Sequence, residues 1–199
     1  MPKIVDHNDR KEKIAEAAWR VIRRDGLDHV SVRRVAEEAG FSLGSLRHYF
    51  DSQDELLAFS MRLVSSRVND RIQKIPFSGK PRHDMMLIIA ELVPLDEVRL
   101  AEAEIWLAFA GKAGSNAAIR ALSLEVHHEL YTGFRRMIDE LIRQKLTTDD
   151  IDAEQETRRL HALIDGLVVH HATFQDHLTR DELMTTISYH LDTFLLQEQ

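Results

Sequence analysis

Ser45, Arg47, His48 and Tyr49 crowd side-chain hydrogen-bond donors into one short stretch. Such groups suit phosphate oxygens and base edges. Gly44 stands just before them. Glycine inside an exposed helix costs about 1 kcal/mol against alanine. Its presence makes sense if the backbone must come close to something bulky, such as a nucleic-acid backbone. Leu46 and Phe50 lie four apart and can hold the same helix against a core. A second cluster could bind a metal: His161 and Asp165 share one helix face, with His170 and His171 in the next turns. A His–Asp pair at this spacing is more often a surface hydrogen bond, and no HExxH motif accompanies it, so no metal or other cofactor is expected. Nor is an enzyme expected, because the sequence has no GxSxG, no glycine-rich phosphate loop and no cysteine.

The elements that must position the donors are also visible. Val32, Val35, Ala36 and Ala39 form an i, i+3, i+4, i+7 stripe, which predicts a short helix. Ser31 can cap its start and Gly40 can stop it. Phe41 offers a buried anchor, and Ser42 can cap a second helix running to about His48. Two short helices joined by a glycine-containing turn are the pattern of a helix-turn-helix, although a structural hairpin in a bundle would look alike.

A preceding helix over residues 8–25 carries Ile14, Ala17, Ala18, Val21 and Ile22 on one face, with Asn8 or Asp9 as cap and Gly26 as stop. Arg10, Lys11 and Lys13 near its start suit either a phosphate or solvent. Ser52 and Glu55 form a capping box that opens a helix to about residue 74. Residues 76–84 hold two prolines and a glycine and read as a mobile joint. Helices are then predicted over residues 82–93, 96–112, 115–145, 150–174 and 180–196, the last behind a second capping box at Thr179 and Glu182. The fold class is all-α: an N-terminal three-helix domain with a helix-turn-helix (residues 1–51), then a C-terminal helical bundle (residues 52–199).

The net charge of −7 argues against a nucleic-acid partner, but its distribution does not. Residues 1–50 hold ten Lys and Arg against eight Asp and Glu, and the remainder sixteen against twenty-five. A weakly positive head on an acidic body fits a local DNA contact. No run approaches a membrane span and the N-terminus lacks a signal-peptide core, so a cytoplasmic location is expected.

The order Ile14, Ala17-Ala18, Gly26, Ser31-Val32, Val35-Ala36, Ala39-Gly40-Phe41-Ser42, Gly44-Ser45-Leu46, Tyr49-Phe50 and Asp54-Glu55-Leu56-Leu57 resembles the DNA-binding domain of the TetR family of bacterial transcriptional regulators. The resemblance implies a homodimeric repressor that leaves its double-stranded DNA operator when a small-molecule effector, not named by the sequence, is bound. It implies that Leu43, Gly44, Ser45, Arg47 and His48 face the major groove, that Ser31 and Tyr49 contact phosphates, and that Arg33 reaches a base. Two positions depart from the family pattern. Arg47 stands where many members carry an aromatic residue. Gln53 replaces a phosphate-binding lysine, so it keeps a donor without the charge. The resemblance also implies an effector pocket in the body. Trp106, Phe109, Phe134 and Met137 are candidates to line it, each equally suited to plain core, with His127 and His128 as polar handles for an amphipathic or aromatic molecule. It implies further that the last two helices pair with their copies through Leu163, Gly166, Leu167, Ile187, Leu191 and Phe194, positions that simple intramolecular packing would also explain. The reading from a different class is a small-molecule-binding helical protein without specific DNA binding.

Overall fold

The computed structural model describes the backbone of residues 3–196 and the side chains of residues 7–196. All regular elements among them are helical. The chain groups into two compact units.

The first unit holds the chain up to Asn69 together with Glu104–Leu124. Helix α1 (Lys3–Asp25) begins before Asn8 and Asp9, so neither caps it. Its stripe of Ile14, Ala17, Ala18, Val21 and Ile22 is buried as expected, with Ala15 and Trp19 beside it. The Trp19 indole N–H donates to the Ser60 carbonyl at 3.0 Å, which satisfies a buried donor. Gly26, at φ 87°, turns the chain into a 3-10 turn at Leu27–His29. Helix α2 (Val32–Ala39) is capped by Ser31, whose hydroxyl accepts from the Arg34 N–H at 3.2 Å. It ends at Gly40, whose φ of 71° a side chain would strain. Helix α3 (Leu43–Arg47) is capped by Ser42, which accepts from the Ser45 N–H at 3.1 Å. Helix α4 (Gln53–Gln73) follows. Ser52 accepts from the Glu55 N–H at 3.1 Å, but the Glu55 carboxylate accepts from Asp51, one residue earlier than in a reciprocal box.

The second unit holds Asp70–Ala103 and the chain from Glu125 onward. Its helices are α5 (Pro81–Leu92), α8 (Ala153–Thr173) and α9 (Arg180–Asp192), with parts of α6 (Glu97–Lys112) and α7 (Ala117–Arg143). Several boundaries differ from the sequence reading. Asn116, not Ser115, caps α7, accepting from the Ile119 N–H at 3.1 Å. The proline-rich segment is shorter than expected and tied down. Pro81 already occupies the first turn of α5, and the Asp84 carboxylate accepts from the Ser78 N–H, the Ser78 hydroxyl and the Gly79 N–H, each at 2.8 Å. Helix α9 stops four residues before Leu196. The chain there pairs instead with residues 146–148, through Thr148 N–H to Phe194 O at 3.0 Å and Leu196 N–H to Leu146 O at 2.9 Å. Among the described residues no helix is long and apolar enough to cross a membrane.

The division expected after residue 51 falls just before α4, which begins at Gln53. The first unit keeps this helix as far as Asn69, and its last turn, from Asp70, belongs to the second unit.

Candidate nucleic-acid interface

Helix α3 has two sides. Leu46 and Phe50 are fully buried, as are Val35 and Ala36 of α2, the helix α3 packs against. Leu43, Gly44, Arg47 and His48 face solvent, while Ser45 and Tyr49 are half-buried. Leu43 keeps 39% of its surface exposed, so it points outward and does not pack beside Leu46. A β-carbon built on Gly44 would meet nothing within 4 Å, so the protein's own packing does not require the glycine there.

The neighbouring candidates surround this face. Ser31 is half-buried at the α2 cap, and Arg33 and Gln53 are exposed. Arg33 Nε lies 3.0 Å from the Glu37 carboxylate, one helical turn on, with both side chains mostly in water. Such a surface pair is weak and easily exchanged for a phosphate or base. Arg47 makes no hydrogen bond or ion pair among the described residues. The Tyr49 ring is braced by Phe41, edge-on at 6.4 Å, and by His7 at 4.9 Å, and its hydroxyl accepts from Arg10 at 3.4 Å. Lys11 takes a third course besides phosphate or solvent. Its ammonium sits over the rings of Phe50 and Phe59, at 5.2 and 5.7 Å, where the ring faces attract a cation.

Charge fixes α2 against α1. Glu38 accepts from Arg20 at 2.8 Å and from Arg24 at 2.9 Å. These hydrogen bonds, Arg20's first and then Arg24's, hold the Glu38 carboxyl below its ordinary pKa. A depressed carboxylate adds stability that is complete above its unfolded pKa, about 4.3, and is lost as pH falls through the folded value. Glu38→Gln should therefore lower the thermal midpoint slightly at pH 7. The gap from the native protein should close as pH falls below about 4, and a series of melts across pH checks it. A gap independent of pH would mean that Glu38 acts through packing and not through charge.

The body carries a cavity of about 370 Å3 among residues 77–81, α5 and α7. Of the four residues expected at a pocket, only Met137 lines it, alongside Phe77, Met85, Ile88 and Leu141, with Asp84, Arg136 and Glu140 as the charged groups. Phe134 is buried beside His161 instead, and Phe109 is buried and Trp106 half-buried in the first unit. The i, i+4 run Arg136, Glu140, Gln144 was the available signal for the α7 wall, but it reads as an ordinary polar face until the loop beside it is placed.

The dimer candidates divide. Leu163 and Gly166 are half-buried. Ile187 and Leu191 have no exposed surface in the single chain, and Leu167 and Phe194 have little, so these four are intramolecular core and offer almost nothing to a second copy. Val169 of α8 is half-buried, and Tyr189 of α9 is 75% exposed.

His161 and Asp165 do not form the expected hydrogen bond. Their closest atoms are 3.6 Å apart, and His161 stacks on His127 with centroids 4.6 Å apart. Burial, then the nearby His127 charge, pushes the His161 imidazole down to about 4, and burial pushes the Asp165 carboxyl up to about 6. At neutral pH the imidazole is thus uncharged and the two do not make an ion pair.

A short helix with an exposed arginine, packed against α2, which itself packs on α1, is the arrangement of a helix-turn-helix. Comparison with known proteins agrees. A family model described as "Bacterial regulatory proteins, tetR family" matches residues 14–58, and one described as "BetI-type transcriptional repressor, C-terminal" matches residues 81–196. The HTH-type transcriptional regulator PksA of Bacillus subtilis is 38% identical over 199 residues, covering 100% of this chain and 96% of PksA. The regulator BetI of Pseudomonas aeruginosa is 27% identical over 201 residues, covering 100% and 99%. Among solved structures, a transcriptional regulator of Rhodococcus sp. Rha1 superposes with a TM-score of 0.80 at 26% identity, covering 94% of this chain and 99% of that one. A Saccharomonospora viridis protein assigned as a transcriptional regulator, solved in complex with choline, has the same fold, with a TM-score of 0.80 at 22% identity and coverage of 96% and 100%. The chain belongs to the TetR family of bacterial transcriptional regulators, and its function is sequence-specific DNA binding in the control of transcription.

Proposed function

We propose that the protein is a cytoplasmic homodimeric repressor that leaves a two-fold symmetric operator when a small molecule occupies its body. The observation that carries this reading is the α3 face, where Leu43, Gly44, Arg47 and His48 are exposed together. Residues 1–51 act as the reader, with Ser31, Arg33, Ser45, Tyr49 and Gln53 flanking the groove-facing set. One five-residue helix reaches few base pairs, and two-fold pairing doubles the contact and sets the half-site spacing. On α8, Leu163, Gly166 and Val169 make a narrow outward strip, and a β-carbon on Gly166 would meet nothing within 4 Å. Such a strip lets the same helix of a second copy approach closely, and Tyr189 of α9 adds an exposed ring.

The effector site in this reading is the cavity beside α5 and α7. Phe77 with Asp84 and Glu140 offers a ring and carboxylates to an organic cation, so choline, held by the Saccharomonospora viridis protein, is the first ligand to titrate. Helix α4 is suited to carry the signal. Arg67 holds it to Glu12 and Glu16 of the first unit, at 3.4 and 2.5 Å. One turn later Arg71 holds it to Glu91 and Glu102 of the second, each at 2.7 Å. A ligand acts through this lever only by its difference in affinity for the two states.

Selection of bound duplexes from a random library tests the reading. The expected result is a palindromic site with half-sites about one helical turn apart, 10–10.5 base pairs, and affinity that falls steeply with salt. Absence of any enriched sequence, with and without cell extract as a source of effector, would overturn it.

A further inference from the structure

We propose that His127, His161 and Asp165 form a binding site for a divalent transition-metal ion that clamps α7 to α8. One ligand atom from each residue falls in a group whose members all lie within 4.8 Å of one another. His161 Nε2 and Asp165 Oδ2 are 3.6 Å apart. That is too long for a hydrogen bond. Two atoms bound tetrahedrally to one ion at about 2.0–2.2 Å stand roughly 3.4 Å apart, so a small adjustment brings both onto a metal.

The second observation is the state of His161. The residue is only 4% exposed, and its Nε2 is buried without a hydrogen-bond partner among the described residues. A buried polar atom left unbonded is costly, and a bound ion is one of the few things that removes the cost. The other members complete the arrangement. Asp165 follows His161 by one turn of α8 and is half-buried, while His127 comes from α7, is exposed, and would turn out of its stack on His161 to present a ring nitrogen. The rings of Phe134 and Tyr131, at 5.3 and 6.3 Å from His161, supply an apolar surround that strengthens metal–ligand interactions.

Two imidazoles and one carboxylate suit zinc, cobalt or nickel rather than magnesium or calcium, which prefer oxygen. Three protein ligands leave a fourth position open to water. The site is separate from both the reader helix and the α5–α7 cavity, so it stands whether or not an operator is found.

The test uses the full-length protein stripped of metal and titrated with zinc by calorimetry and with cobalt by visible absorption. One equivalent per chain is expected, with the intense absorption of a tetrahedral cobalt centre. His127→Gln changes an exposed side chain, and Asp165→Asn keeps the shape of a half-buried one. Both should remain folded by circular dichroism and weaken zinc at least about tenfold, the scale seen when supporting groups of metal sites are removed. Zinc binding that survives both substitutions unchanged would assign it to other histidines and overturn the proposal, as would the absence of a stoichiometric site in the native chain.

Discussion

Arg47→Ala should remove specific operator binding while leaving a folded protein. The guanidinium is exposed on α3 and has no hydrogen-bond or ion-pair partner among the described residues to lose. Stability should therefore stay within about 0.5 kcal/mol of the native value. The effect on DNA is larger, because the proposed dimer counts the residue twice. A bidentate arginine–guanine contact is worth about 1–3 kcal/mol, so two such losses lower specific affinity roughly 30-fold to more than 10⁴-fold. Binding to a scrambled duplex should fall much less, since it rests on phosphate contacts spread over many residues. Fluorescence anisotropy on matched and scrambled duplexes separates the two. Undiminished discrimination would exclude Arg47 from the reading set and shift attention to Arg33, which must first give up Glu37.

The helix-turn-helix was legible in the sequence because the caps and stops that delimit its helices are local. Ser31 and Ser42 each cap a helix within three residues of themselves, and Gly40 ends one by its own φ. The regulatory body was legible as helices but not as a site. Periodicity placed Ile187 and Leu191 on an apolar stripe without saying what would cover it, and the answer proved to be this chain's own core. The end of α9 was missed because its competitor, the pairing of Thr148 with Phe194, joins segments 46 residues apart. The cavity shares only Met137 with the expected set, since a void belongs to the space between elements and not to any one of them. Lys11 read as suited to a phosphate or to solvent, because Phe59, whose ring lies beneath its ammonium, is far along the chain.

Arg71→Met should produce the largest loss of stability among simple polar substitutions. Arg71 donates to Glu91 at 2.7 Å and to both oxygens of Glu102 at 2.9 and 2.7 Å. The hydrogen bonds it donates to Glu102, which outweigh the opposing effect of burial, raise the guanidinium pKa above its ordinary value. Glu102 is only 3% exposed, so removing its partner strands a buried carboxylate. That costs about 3–5 kcal/mol out of a total stability of roughly 5–15 kcal/mol. The lower end applies, because the Arg71 side chain keeps 28% of its surface in water. A thermal midpoint lower by about 6–12 °C is the corresponding shift. Adding Glu102→Leu should recover most of it, since a matched pair of apolar groups leaves no stranded charge. The double variant then isolates function from folding. With Arg67 still bound to Glu16 but the last turn of α4 released from Glu91 and Glu102, operator affinity should persist while the response to effector weakens. A stable double variant with full effector response would show that α4 transmits nothing through Arg71.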